Sequence, residues 1–467
     1  MKPNIIEFIW HDLGDWLSCY NRKAVQTPNL DRLYNEGALF ENNFCNAPQC
    51  TPSRACIKTG VYPPQHGLLG LSHRGWEYKE TAVEMPEYFE REGYRTVLCG
   101  LQHEHHHPKD SYLYTGPDPL IPYKYQERWT CKTTSQVVAD IFLEKLAAEK
   151  TALQDSPFFM SIGFSAVHRL YANDYNASIL NEIEVPKFLP DDEATRKDLA
   201  TFIYRIEQAD KDLGRILDGL EDAGLSENTL IYFTSDHGPE VPRAKASLYD
   251  PGLKTALLMR CPGRIAAGQR IQGLTSGVDI LPTLLDAIGA AKPDFLEGQS
   301  FWPEVSGEGT VTPRERIFAQ MTYHSGEYDP MRCIRTERYK LIRNYIPGWP
   351  VQISGPYAAR FGAKYVETHF AKARPEWELY DLKNDPDEFK NLVGHAEYEA
   401  TEQSLKTELM DFLKRTGDPI LKGQIPNIAP EKAGCACRWA KFQPRHPERE
   451  EYQFELVVTE DFGEQPI

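Results

Sequence analysis

At 467 residues and 53.3 kDa the chain is too long for one ordinary hydrophobic core, so a large domain and a smaller one are expected. Hydrophobic residues at 41% and charged residues at 26% give a globular balance that excludes a disordered chain. A net charge of −16 and an isoelectric point near 5.4 exclude nucleic acid and an anionic membrane as main partners, so an anionic substrate requires a cationic pocket of its own.

The first element is the apolar run Ile5 to Trp10, which reads as a buried parallel strand ending at His11-Asp12-Leu13-Gly14. It starts so near Met1 that a secretory leader has no room, and no run of about 18 apolar residues follows anywhere. The expectation is a cytoplasmic protein, or one whose leader was removed before residue 1. Thr27-Pro28-Asn29-Leu30-Asp31-Arg32-Leu33 reads as a capped helix start, and Met85 to Glu92 as an amphipathic helix stopping near Gly93. Tyr94 to Leu98, Pro157 to Phe164, Thr229 to Thr234 and Ala256 to Met259 read as strands, with a helix over Ala194 to Leu220. Strands alternating with helices predict an α/β fold, a large mostly parallel sheet sandwiched by helices.

Beyond about residue 315 the segments shorten, with β-like Met331 to Ile334 and Tyr339 to Arg343 and an amphipathic helix over Glu399 to Arg415. A smaller C-terminal α+β domain carrying an antiparallel sheet is therefore expected, with the catalytic domain over 1–325 and the smaller domain and tail over 326–467. Ten cysteines, at 19, 45, 50, 56, 99, 131, 261, 333, 435 and 437, show no disulfide framework and read as mostly reduced and buried. Cys435-Ala436-Cys437 has no partner pair to complete a metal site.

Cys50-Thr51-Pro52-Ser53-Arg54, followed by Thr59-Gly60, is the most specific stretch of the chain. An isolated cysteine would be an inert buried thiol, but this spacing resembles the modification motif of the type I sulfatases of the alkaline phosphatase superfamily. There Cys-x-Pro-Ser-Arg and a following Thr-Gly direct oxidation of the cysteine to formylglycine. The resemblance extends to His11-Asp12-Leu13-Gly14, Thr27 to Leu33, Ser235-Asp236-His237-Gly238, Lys245 before Leu248-Tyr249, and Trp377-Glu378-Leu379-Tyr380-Asp381. It implies a formylglycine-generating enzyme as partner and a sulfated small molecule as substrate. A hydrated aldehyde offers two hydroxyls on one carbon, so one can attack sulfur while the other later expels sulfate by collapse to the carbonyl.

Such a nucleophile needs a divalent cation to lower its pKa. The resemblance assigns Asp12 and Asp236, each at a strand end, as ligands together with His11, His237 and the residue made from Cys50. His11 stands where the family usually has Asp. Imidazole suits manganese better than calcium, so calcium is the family expectation and manganese the alternative, with His11 either ligating or orienting Asp12. Arg54 matches the motif's arginine, which stabilises the aldehyde hydrate, and Lys245 matches the family lysine on the sulfate. Gly100-Leu101-Gln102-His103-Glu104 resembles a Gly-Lys-x-His element, so His103 is expected at the nucleophile while Leu101 forfeits a cationic contact. Gln102 and His105 to His107 offer further polar groups nearby. His168, after a strand in Val167-His168-Arg169, matches a candidate general acid for the leaving group.

Together with Ser247 to Gly252 and Pro330-Met331-Arg332, these stretches resemble the heparan N-sulfatase, or sulfamidase, branch. That implies a sulfate ester or sulfamate on a glycosaminoglycan-derived glucosamine. Among loop residues placed to meet the sugar, His73, Arg74, His324 and Arg332, the last is taken as substrate-binding. Two alternatives stand beside this reading: a phosphonate or phosphodiester hydrolase of the same superfamily, and a catalytically silent glycan-binding homologue.

Overall fold

The computed structural model describes residues 2–105, 124–169, 174–324 and 327–428, and the backbone of 439–444 and 454–458. Eight strands form the main sheet: β1 (Asn4–Trp10), β2 (Ala38–Phe44), β3 (Arg95–Gly100), β4 (Glu127–Thr130), β5 (Phe158–Phe164), β6 (Thr229–Ser235), β7 (Leu257–Arg260) and β8 (Gln269–Ser276). Their order is β4-β3-β5-β1-β6-β7-β2-β8. Neighbours are parallel except around β7, which runs antiparallel to both β6 and β2. The expected mostly parallel sheet is present.

Side chains of β1 alternate between two cores, Ile6, Phe8 and Trp10 on one face and Ile5 and Ile9 on the other. A strand buried on both faces has to read as a continuous apolar run, as this one does. The helices Pro28–Asn35, Ser135–Asp155 and Glu193–Asp222 cover the first face. Met85–Arg91, Ile280–Ala287 and Trp302–Ser306 cover the second. The 30-residue helix Glu193–Asp222 starts where Asp192 accepts a 2.8 Å hydrogen bond from the backbone N–H of Thr195.

The second sheet is antiparallel, built from β9 (Ile317–His324), β10 (Glu327–Arg335), β11 (Tyr339–Asn344) and, beyond the short β12 (Ile353–Ser354), β13 (Trp377–Asp381), in the order β13-β11-β10-β9. Helix Glu399–Arg415 lays Leu405, Leu409 and Phe412 against it. A boundary at 325/326 falls between β9 and β10, which pair with each other, so the first strand of this sheet precedes it. A third sheet joins β12 to β14 (Trp439–Pro444) and β15 (Phe454–Val458). Cys19, Cys45, Cys50, Cys56, Cys99, Cys131, Cys261 and Cys333 are free and buried, while Cys435 and Cys437 lie outside the described residues. Among the described residues no helix is long and apolar enough to cross a membrane.

Candidate active site

Parallel pairing of β1 and β6 in the register Trp10 to Ser235 brings His11-Asp12 and Asp236-His237 side by side where both strands end. Ligands collect at such carboxyl ends in open α/β sheets. The two loops are tied together by their own backbones. The N–H of Asp12 donates to Asp236 Oδ1 at 3.0 Å, that of Asp236 to the Trp10 carbonyl at 3.1 Å, and those of Leu13 and Gly14 to Ser235 Oγ. Asp12 takes φ +49°, a left-handed conformation uncommon for a residue with Cβ, which turns its carboxylate back over the strand end. A Cβ on Gly238 would lie 1.8 Å from the Pro251 carbonyl oxygen, so only glycine fits there.

Each residue of the cysteine motif has a visible task. Cys50 is the first residue of the helix Cys50–Thr59, and Pro52 sits in its opening turn, where a missing N–H costs nothing. Ser53 Oγ donates to the Asp236 carbonyl, and Arg54 Nε to Asp236 Oδ2 at 3.0 Å. Thr51 Oγ1 donates to the His103 carbonyl at 2.5 Å. Thr59 Oγ1 closes onto the Ala55 carbonyl, and Gly60, at φ +67°, ends the helix with its N–H on the Cys56 carbonyl.

Cys50 is 2% exposed, with Sγ 3.4 Å from His237 Nε2. Burial pushes its thiol well above the ordinary range. Lys245 and Arg54 pull it down, and the carboxylates of Asp236 and Asp12 push it further up. A thiol so held carries almost no thiolate at neutral pH, and the thiolate is the reactive form.

Ligand atoms of His11, Asp12, Cys50 and Asp236 lie within 4.8 Å of one another. Burial raises both carboxyls, but Lys245 above all holds Asp12 below the usual carboxylate range, with His168 and His237 acting in the same direction, and the facing imidazoles of His237 and His11 together with the Arg54 guanidinium do so for Asp236. Burial and then Arg54 push His11 down to about 4, so it is a neutral imidazole. Its buried Nδ1 lies 2.9 Å from Asp236 Oδ2 but is not aligned in a hydrogen bond. Two ionised carboxylates and a neutral imidazole with an unused nitrogen fit a divalent cation. His237 touches this group through Nε2, 3.2 Å from Asp12 Oδ1 and 3.5 Å from Asp236 Oδ1. Its Nδ1 lies 2.8 Å from the Gly238 carbonyl and donates to it, which turns Nε2 toward Cys50 and the two carboxylates.

Lys245 reaches Asp12 at 2.8 and 3.1 Å, and its loop is held by the Lys245 N–H on the Pro239 carbonyl and the Ala246 N–H on that of Pro48. His168 Nε2 is 3.4 Å from Lys245 Nζ and 3.9 Å from Asp12 Oδ2. Its loop is anchored by the buried pair of Arg169 and Asp198 on the long helix. His103 stacks on His73, with Nε2 to Nδ1 at 3.0 Å, and its ring is 5.5 Å from that of His11. Burial, with His73 and His11 adding to it, holds His103 well below the usual imidazole range.

The structure therefore gathers His11, Asp12, Cys50, Arg54, His103, His168, Asp236, His237 and Lys245 at one place. Arg332 is not there. It is 0% exposed on β10, where Nε and a terminal nitrogen grip Asp418 and the other terminal nitrogen donates to the Met321 and Met331 carbonyls, so no donor faces a substrate. Gln102 folds onto its own loop and His105 pairs with Glu84 at 2.8 Å, while His106 and His107 lie outside the described residues. His324, from β9, is buried near Lys245 and lines a small cavity with Glu240 and Gln352. Glu240 was missed in the sequence because nothing in Gly238-Pro239-Glu240 separates it from an ordinary turn carboxylate.

The fold and this constellation define a metal-assisted hydrolase with an anion pocket, and the comparisons with known proteins identify it further. The chain belongs to the sulfatase family, whose model matches residues 3–290. A second model, described as N-sulphoglucosamine sulphohydrolase, C-terminal, matches 243–350 and 355–415. An ulvan-active sulfatase of Formosa agariphila is 31% identical over 448 residues, covering 92% of this chain and 84% of the relative. Human N-sulphoglucosamine sulphohydrolase is 26% identical over 498 residues, covering 95% of each. Among solved structures, BT4656 in complex with its substrate D-glucosamine-2-N,6-O-disulfate superposes with TM-score 0.65 at 22% identity, covering 90% of this chain and 99% of the other. The phosphonate monoester hydrolase of Agrobacterium radiobacter shares the fold at TM-score 0.64 and 20% identity, covering 89% and 96%. By family the protein is a sulfuric ester or sulfamate hydrolase.

Proposed function

We propose that the protein releases sulfate from a sulfated sugar of the glucosamine type, using an aldehyde hydrate made from Cys50 and a divalent cation held by Asp12, Asp236 and His11. The observation that carries this is Cys50 itself, a buried thiol at a helix start with Arg54, Lys245, His237 and two carboxylates converging on it. The sugar follows from the match of the C-terminal region to the N-sulphoglucosamine sulphohydrolase model and from the human relative. Calcium is the ion we assign, and the His11 imidazole makes manganese its competitor.

When bound, the cation supplies acidity to the hydroxyl it contacts and charge for the sulfate oxygens. Lys245 and Arg54 add positive charge where the transferring group gains negative charge. One hydrate oxygen bonds to sulfur as the bond from sulfur to the sugar oxygen or nitrogen breaks, and the leaving atom takes a proton on the side where His168 and Lys245 stand. His237 Nε2, which faces residue 50 at 3.4 Å, then accepts the proton of the second hydroxyl. The carbonyl re-forms, the bond from carbon to the sulfate oxygen breaks, sulfate leaves with that electron pair, and water restores the hydrate.

The test is the mass of the tryptic peptide Leu33 to Arg54 from the native host, joined to assays on N-sulfoglucosamine, glucosamine 6-O-sulfate, ulvan oligosaccharides and a phosphodiester. Aldehyde at residue 50 with sulfate release from a glucosamine is the expected result. Unmodified cysteine, or turnover confined to ulvan or the phosphodiester, would overturn it. Metal analysis of the active protein decides between calcium and manganese.

A further inference from the structure

Glu240 takes no part in the reaction above, yet it is only 7% exposed and stands among the reacting groups. Its carboxylate lies within 4.8 Å of the nearest ligand atoms of Asp12 and His168. Oε2 is 3.5 Å from Lys245 Nζ and makes no hydrogen bond among the described residues. The backbone is fixed, because the Glu240 carbonyl accepts from Arg169 Nε at 2.8 Å. With Lys245, His324 and Gln352 the side chain lines a small cavity beside the position assigned to the sulfate.

An ionised carboxylate can only accept hydrogen bonds, and burying one without a donor is unfavourable. The Lys245 ammonium it faces stands 3.5 Å away, and the two hydrogen bonds that ammonium gives to carboxylate oxygens both go to Asp12 instead. A third carboxylate beside Asp12 and Asp236 also opposes the gathering of positive charge that a sulfate requires. Its presence is explained if the substrate brings the missing donor. The neighbours of Glu240, His168 and Lys245, place it on the leaving-group side.

We propose that Glu240 determines specificity: a hydroxyl or amine flanking the scissile group donates to Oε2, and a second anionic group at that flanking position is repelled. This rests on the sulfatase reading of the site and narrows its substrate to a sugar with a hydrogen-bond donor next to the sulfate that is removed. A site built around such a bond rejects an analogue lacking it far more strongly than an apolar pocket rejects a methylene.

The test uses a pair of probes in which the flanking position is known. Catechol monosulfate carries a neutral hydroxyl beside the sulfate, and phenyl sulfate does not. kcat/KM is measured for both with wild-type protein, Glu240→Gln and Glu240→Leu, each shown by peptide mass to carry the aldehyde. The fall in kcat/KM for Glu240→Leu should be about tenfold or more larger on the catechol than on the phenyl probe, with Glu240→Gln between. The disulfated catechol should be a better substrate for Glu240→Gln than for wild type. Equal losses on both probes would overturn the proposal and leave the sulfatase reading intact. Absence of sulfate release from every probe by aldehyde-bearing wild type would defeat both. If Glu240→Leu does not fold, the same ratio is read from Glu240→Gln and Glu240→Asp.

Discussion

Lys245 gives two hydrogen bonds to Asp12 and faces His168, so in the proposed reaction its one charge would both hold a metal-ligating carboxylate and meet the sulfate. Lys245→Met should lower kcat/KM by about 100-fold or more, as removal of one preorganised charge from a developing anion does, with the aldehyde content of residue 50 unchanged by peptide mass. Most of this centre was legible because its residues sit in short local motifs: Cys50 with Arg54, Asp12 after the first strand, Asp236 after a later one. Arg332 was misread because its partner, Asp418, is 86 positions away and no local pattern reveals that pairing. His66 makes a different prediction. It is buried, its Nδ1 accepts the Leu68 N–H at 3.2 Å, and burial followed by the Lys79 charge lowers its pKa to about 3. The folded state therefore holds His66 neutral while the unfolded chain protonates near 6.5. Its contribution is complete above 6.5 and is lost as pH falls from there toward 3, at about 1.4 kcal/mol per pH unit. Urea denaturation of wild type and His66→Asn at pH 7.5 and 5.5 should show the stability difference shrinking at the lower pH; a constant difference would exclude the assignment.

At the level of the element, the helix Cys50–Thr59 is fixed by three side chains spaced four apart along one face: Cys50 toward His237, Arg54 on Asp236, and Lys58 on Glu7 of β1. Glu7 is fully buried and also accepts from Ser161 Oγ at 2.5 Å and from the Tyr232 hydroxyl, while Lys58 reaches Tyr125 OH at 3.0 Å. Removing one partner of such a pair strands a buried charge, whereas removing both does not. Lys58→Met should destabilise the fold by about 3–5 kcal/mol, and the double variant Glu7→Leu with Lys58→Met should recover most of it in denaturant titrations. A double variant as unstable as the sum of the two single ones would show that the pair is not coupled. The helix was not foreseen, because all ten of its residues are buried and leave no amphipathic period to read. The edge strand β8 was missed for the opposite reason, its sequence Gln-Arg-Ile-Gln-Gly-Leu-Thr-Ser being largely polar. Strands of the sheet centre, β1, β5 and β6, were legible because burial on both faces writes itself as an unbroken apolar run.

Across the whole molecule, the small antiparallel sheet acts as a brace for the loop that carries Lys245. Lys340 on β11 is fully buried between Asp250, at 2.5 Å, and Glu388, at 2.7 Å, and donates to the Leu248 carbonyl. Arg335 closes on the same Asp250, and Tyr249 OH donates to Glu378 of β13 at 2.8 Å. Lys340→Met should lower both the melting temperature and kcat/KM, since the lost pairing lies directly under Ser247 to Asp250; a variant of lower stability with unchanged kcat would confine the contact to a structural role. None of this bracing was readable beforehand, because its pairs join residues far apart in the chain, as Lys340 with Asp250 and Tyr249 with Glu378 do, through a sheet whose register the sequence does not print. One earlier feature bears on how the molecule comes into being. Residue 50 is shut in by its own helix, with every residue from Cys50 to Thr59 buried. If residue 50 is oxidised as proposed above, an enzyme that must grasp this stretch would reach it only while the chain is still open. Folding and maturation would then be a race run once per molecule, and a copy that folded first would be sealed with its cysteine inside, correct in shape and without a nucleophile.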